Sequence, residues 1–205
     1  MKKTVIGVLA SGRGSNLQAI IDAIQAGRLD AKIGVVISDN PEANVLKRMA
    51  GVDIQALCID RRLFASRRQF EDAVAEELAI HHVELVVLAG FMRILSQYFI
   101  DRFAGKIMNI HPSLLPAFPG ENAQAQALAY GVKVTGCTVH FVDAGMDTGP
   151  IILQEAVPVL GTDTVETLSE RILHAEHILY PRALALYCAG RLTAAGRHVN
   201  IIDKE

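Results

Sequence analysis

Short apolar runs alternate along this chain with stretches in which apolar residues recur every three or four positions. That alternation of periods predicts an α/β protein with a largely parallel sheet. The runs Thr4–Ala10, Ile33–Ser38, Leu85–Ala89 and Ile107–Ile110 are continuously apolar, which predicts strands buried on both faces. Asp53–Cys58 is a weaker strand candidate. Leu17, Ile20, Ile21 and Ile24 share one helical face, with Ser15 or Asn16 placed to cap that helix and Gly27 to close it. Further helices are predicted over Ala43–Ala50 and Ser66–His81.

After Ile110 the pattern breaks. Pro112, Pro116 and Pro119, followed by Gly120, fit neither a central strand nor a helix interior and predict an ordered loop. A helix around Ala123–Ala129, strands over Thr135–Val142 and Pro150–Val159, and a long helix capped near Asp163 or Thr164 complete the pattern. Val165, Leu168, Ile172, Ala175 and Leu179 form the last helix's apolar stripe, which Pro181 is expected to kink or interrupt. There is no internal repeat, low-complexity tract or linker, so one domain over residues 1–205 is expected.

Composition narrows the function classes. With 205 residues, 51% apolar and 20% charged, the chain has the size and balance of a domain with a continuous core. Twenty Lys and Arg against 22 Asp and Glu give a net charge of -2, which points to neither nucleic acid nor an anionic membrane as partner. Any anion must therefore be met locally. No apolar segment approaches the roughly 18 residues of a membrane span. The Met1-Lys2-Lys3 start leads into an apolar run that ends at Ser11, a first strand rather than an export signal. Cys58, Cys137 and Cys188 are odd in number and widely spaced. They predict a reducing, cytoplasmic setting, with no disulfide framework and no structural zinc, and act as small core residues.

Three segments carry candidate chemistry. Ala10 to Asn16 reads ASGRGSN, a glycine-rich turn between a buried strand and a helix. Such a turn brings free N–H groups and the positive end of a helix dipole to an anion, phosphate being the natural one, or serves only as a connection. It is neither a dinucleotide fingerprint nor a Walker loop. In the second segment, Asn109 and His111 flank Ile110 at a strand's end and project to the same side. An amide donor beside a titratable ring suits stabilisation of an oxyanion with proton transfer nearby, and the bland alternative is a buried structural histidine. The third segment, His140 to Pro150, carries Asp143 and Asp147 in a turn. There an aspartate either bonds local backbone or, set close to a histidine, holds the imidazole charged and oriented.

Together these segments resemble the glycinamide ribonucleotide formyltransferases, a family of folate-dependent enzymes of purine synthesis. The resemblance runs to about Gly190 and rests on SGRGSNLQ from Ser11, LAGFMRIL from Leu88, NIHPSLLP from Asn109, TGCTVHFVD from Thr135, DTGPII from Asp147, and Glu176-His177. It implies an open, mostly parallel, Rossmann-like sheet with helices on both faces, the formyltransferase fold. The part to about residue 105 would bind the nucleotide phosphate, and residues 106–190 would carry catalysis and folate binding.

By the resemblance, Asn109, His111 and Asp147 form the catalytic trio. Gly14, Ser15 and Asn16 hold the acceptor's phosphate, and Leu173, His174, Ala175 and Glu176 hold its ribose. Met92, Arg93, Ile94 and Leu95, with Asp143, Ala144, Gly145, Met146, Asp147 and Asn109, line the folate pocket, and Arg67, next to Arg68, aligns with a folate-contacting arginine. Between Gly120 and Gln126 the chain lacks a histidine that some members carry. The implied co-substrate is 10-formyltetrahydrofolate, with no metal, small molecules as the only partners, and a monomer or homodimer as the assembly. Formyltetrahydrofolate deformylase and other formyltransferases of the superfamily are the neighbouring readings, and a non-catalytic phosphate-binding module is the reading from another class. The deformylase is expected to carry an extra N-terminal domain and the tRNA-dependent enzyme an extra basic one, and neither is seen in this sequence.

Overall fold

The computed structural model describes residues 3–202, and the chain divides into two compact units, Met1–Met108 and Asn109–Glu205. In the first unit the strands are β1 (Thr4–Leu9), β2 (Ala31–Ser38), β3 (Ala56–Cys58) and β4 (Leu85–Leu88), in the order β3-β2-β1-β4. The pairings of β1 with β2, β1 with β4 and β2 with β3 are parallel. Val8, Leu9, Val35, Val36 and all of Leu85–Val87 are fully buried, as expected for strands covered on both sides. Each such side chain contributes about 1.5–3 kcal/mol when taken out of water.

The helices of this unit are α1 (Ser15–Gln25), α2 (Asn44–Met49), α3 (Arg67–Ile80) and α4 (Gln97–Arg102). α1 buries Leu17, Ile20 and Ile21 as its periodicity predicts, and Gly27, at φ +70°, closes it. Its start differs from the sequence expectation: neither Ser15 nor Asn16 is the cap. Gly14 takes that position in the left-handed region, φ 74°, with no side-chain cap bond. The reason is steric as well as conformational, because a Cβ at Gly14 would lie 2.7 Å from Val45 Cγ2. In α3, Ser66 is the cap and accepts from Gln69 N. The six-residue α4 has no counterpart in the sequence reading.

Strand β5 (Ile107–His111) begins in the first unit and ends in the second, where the strand order continues β5-β6-β7-β9-β8. β6 (Val134–Phe141) and β7 (Ile151–Pro158) pair antiparallel, as do β8 (Leu192–Ala195) and β9 (His198–Ile201). α5 (Ala123–Tyr130) follows the proline loop. α6 (Val165–Cys188) starts at a capping box made by Thr164 and Thr167 and buries Leu168, Ile172, Ala175 and Leu179. It runs unbroken through Pro181, contrary to the expected interruption. Pro181 lies on the buried face beside Leu179, Tyr180, Ala183 and Leu184, and packing along so long a helix outweighs one missing backbone bond.

Candidate active site

Within the second unit, β5 delivers Asn109 and His111 to one side of the strand, as their spacing requires. His111 is buried at 5% exposure. Its Nδ1 lies 3.2 Å from Asp147 Oδ2, and its Nε2 is 2.9 Å from the Phe118 carbonyl. Asp147 sits in the left-handed region at φ 54°, a conformation that aspartate tolerates better than most residues. Its Oδ2 also accepts from Gly120 N at 2.8 Å. One carboxylate oxygen thus ties the turn after β6, the proline loop and the histidine together.

His140 joins the group from β6, two per cent exposed. Asn109 Nδ2 donates to its Nε2 at 3.2 Å, its Nδ1 donates to the Phe141 carbonyl at 2.8 Å, and Asp147 Oδ1 is 3.7 Å from Nε2. This donor-acceptor pattern is that of a neutral ring. Burial, ahead of any other influence, pushes the imidazole below its ordinary value. His140 therefore orients the Asn109 amide, a role the sequence reading missed. Its signal was a second histidine near the end of the strand that leads into the turn carrying Asp143 and Asp147.

The loop that follows His111 is held from outside as well as by its prolines. The Thr138 hydroxyl, on β6, donates to Ser113 O at 2.7 Å and accepts from Leu115 N at 3.0 Å. Gln154 Nε2, on β7, donates to Leu115 O at 2.9 Å and to the Thr138 hydroxyl at 3.0 Å. The Leu115–Pro116 bond is cis.

The remaining candidates of this unit divide by environment. Asp143 Oδ1 accepts from Gly145 N at 3.1 Å and from the Thr148 hydroxyl at 2.6 Å, closing its own turn, while Met146 is 52% exposed. Ala144 and Gly145 are exposed turn residues. On α6, Glu176 and Ala175 are buried, Leu173 is half-buried and His174 is exposed.

Within the first unit, β1 is the strand at which the order turns from β2 on one side to β4 on the other. Ligands of open α/β sheets gather beyond the carboxyl ends of strands at such a point. The turn Ser11–Asn16 leaves β1 there, and Gly90–Leu95 leaves β4 there. In the latter segment Met92 and Ile94 are 76% and 62% exposed while Leu95 is buried. Arg93 pairs with the buried Asp39 at 2.6 Å. Arg67 Nη2 donates to the Ile94 carbonyl and its Nε to Glu71 at 3.1 Å. Glu71, 2% exposed, also accepts from the Ser96 backbone N at 2.8 Å and from the Ser96 hydroxyl. Arg68 instead pairs with Asp72 at 3.1 Å and lies over the Tyr98 ring. Of the two neighbouring arginines, Arg67 is the one fastened to the Met92–Leu95 segment. Among the described residues, no cluster of three or more His, Cys, Asp or Glu is placed to hold a metal ion.

A family model described as formyl transferase matches residues 4–184. The chain belongs to the formyl transferase family. It is 45% identical to the phosphoribosylglycinamide formyltransferase of Bacillus subtilis (strain 168) over 184 residues, 90% of this chain and 93% of that protein. It is 49% identical over 189 residues to the trifunctional purine biosynthetic protein adenosine-3 of Homo sapiens, a match covering 92% of this chain and 19% of that protein. The chain thus spans a fifth or less of the trifunctional relatives that it matches. Among solved structures, glycinamide ribonucleotide transformylase 1 from Symbiobacterium toebii is similar at 53% identity with a TM-score of 0.96, over 98% of this chain and 95% of that one. The formyl transferase fold expected from the sequence is thereby borne out. No described helix is long and apolar enough to cross a membrane.

Proposed function

We propose that this formyl transferase moves the formyl group of 10-formyltetrahydrofolate onto the amine of glycinamide ribonucleotide, giving formylglycinamide ribonucleotide and tetrahydrofolate in purine synthesis. The observation that carries the reading is the linked set of Asn109, His111, His140 and Asp147, a donor array around a carboxylate in a family of formyl carriers. The names of the relatives matched over most of their length supply the acceptor.

The acceptor amine attacks the formyl carbon, and the carbonyl electrons move to oxygen. In the tetrahedral species that results, the oxygen is negative and the attacking nitrogen carries an extra proton. Asn109, its amide oriented by His140, donates to that oxygen, and the charged His111 ring stabilises it. Asp147 compensates the ring's charge and relays the amine proton through water towards the folate nitrogen, whose bond to the formyl carbon breaks as the carbonyl re-forms. No oxidation state changes.

In this reading Gly14, Ser15 and Asn16 seat the acceptor's phosphate at the start of α1, and the segment from Leu173 to Glu176 takes its ribose. The exposed Met92 and Ile94 meet the folate rings, Arg67 meets the folate carboxylate, and Asp143–Asp147 completes the folate-binding residues. The protein works on small molecules, in the cytoplasm.

Release of tetrahydrofolate, measured with and without glycinamide ribonucleotide, tests the reading. Release that depends on the acceptor is expected. Equal release without it would make the protein a deformylase, and no release under either condition would make it a binding module.

A further inference from the structure

Two segments of the first unit to which the proposed function gives different substrates are joined by a pair of reciprocal hydrogen bonds. Ser11 opens the glycine-rich turn after β1, and Gly90–Leu95 follows β4. The Ser11 backbone N donates to the Gly90 carbonyl at 3.0 Å, and the Met92 backbone N donates to the Ser11 hydroxyl at 2.9 Å. The first bond is a continuation of strand pairing, also seen where Ala10 N donates to Ile37 O and Ala89 N to Leu9 O. The second needs a side chain. A residue without a hydroxyl at position 11 would keep the strand-end contact and lose the link to Met92.

The rest of the segment is fastened by other partners. Arg93 is tied to Asp39, the Ile94 carbonyl to Arg67, and Ser96 to Glu71, so the far half of the segment is braced on α3 and the end of β2. Side chains 92 and 94 themselves stand in solvent. The backbone at Met92 is therefore set from the turn. The turn, in its own right, bends through a left-handed Gly14 with no side-chain cap, so a bound phosphate would contribute to fixing its backbone.

We propose that the Ser11 hydroxyl is a positioning residue that couples the two substrates: phosphate bound at the turn holds Ser11, Ser11 holds the Met92 amide, and the folate then meets an ordered segment. The inference rests on the assignment of phosphate to the turn and folate to Met92–Leu95. The linkage is reciprocal, so folate tightens the acceptor by the same factor.

Calorimetry with tetrahydrofolate, which has no formyl group to transfer, measures the coupling in the presence and absence of glycinamide ribonucleotide. In the unaltered protein the acceptor should tighten folate binding about fivefold or more, within the usual range for coupled sites. Ser11→Ala should reduce that factor to below about twofold, and Ser11→Thr, which keeps the hydroxyl, should restore it. A second readout needs no variant: glycinamide ribonucleotide alone should slow hydrogen exchange at the Met92 amide. Coupling that survives Ser11→Ala, or a Met92 amide indifferent to bound acceptor, would overturn the proposal. Failure of the unaltered protein to bind either ligand would instead overturn the functional reading, and the coupling with it.

Discussion

His111 and Asp147 come from different elements, yet Nδ1 of the one lies 3.2 Å from Oδ2 of the other, while the second ring nitrogen faces the Phe118 carbonyl at 2.9 Å. Both nitrogens thus point at acceptors, the arrangement an imidazolium satisfies. To hydrogen-bond an oxyanion directly, the ring must give up Phe118 O and keep Asp147. The carboxylate is then the fixed partner, and the carbonyl the exchangeable one.

The two residues should accordingly behave as one unit. Asp147→Asn keeps the shape and tolerates the left-handed backbone, but it removes the charge. The rate of formyl transfer should fall on the order of 10² or more, comparable to losing an oxyanion donor. Removing His111 as well should cost far less than the product of the separate losses. Single-turnover rates for the two single variants and the double variant check this, and multiplicative losses would show independent roles.

Folding stability should depend on His140 in acid. Its ring is held neutral by burial, so its folded value lies below the unfolded one of about 6.5. As pH falls through the unfolded value, the unfolded chain takes up a proton that the folded chain refuses, and stability drops by up to about 1.4 kcal/mol per pH unit from this group. Urea midpoints between about pH 7.5 and 5.5 should fall less steeply for His140→Gln than for the unaltered protein. Identical slopes would assign the proton uptake to other groups.

Arg67 and Arg68 should separate in kinetics. Arg67→Ala removes the donor on the Ile94 carbonyl and the partner of buried Glu71, so the folate KM should rise about tenfold, in line with losing a charge-assisted hydrogen bond. Arg68→Ala removes an exposed pair with Asp72 and a contact with the Tyr98 face and should move that KM by less than about twofold. Steady-state kinetics with each substrate varied in turn distinguishes the two, and a reversed order would detach Arg67 from the folate.

The cysteines should differ in reactivity. Burial pushes the Cys137 thiol up to about 12, whereas Cys58 is exposed and only its degree of ionisation limits it. A thiol reagent at about pH 8 should modify Cys58 in the folded protein and Cys137 only once urea unfolds it. Peptide mass spectrometry reads both positions, and early labelling of Cys137 would contradict the burial.

What the sequence revealed follows from how local each signal is. β1, β2 and β4 were legible because a strand covered on both faces must be apolar throughout. The Asn109/His111 pair was legible because strand geometry alone puts residues two apart on one side. Gly14 was passed over as a cap because side-chain capping favours Ser and Asn, while the actual constraint, the closeness of Val45, comes from another helix. The β8–β9 hairpin escaped notice because its strands are only four residues each and most of its residues are exposed, so the alternation in His198–Ile201 is too short to stand out. His140 and Glu71 were missed as organising residues for a related reason: a buried polar group is recognised by its partners, and Asn109 and Ser96 are distant in the chain.

The Thr138 hydroxyl has one hydrogen and two lone pairs, and Ser113 O, Leu115 N and Gln154 Nε2 occupy all three. Valine has nearly the same outline and would fill the same space, yet it could make none of these bonds. The conformation of the His-Pro loop is therefore specified twice, once by its own prolines and once by an atom on a neighbouring strand. Lineages that drift at position 138 would have to re-engineer the loop around His111 at the same time, so this interior threonine should resist change as firmly as the residues that meet the substrate.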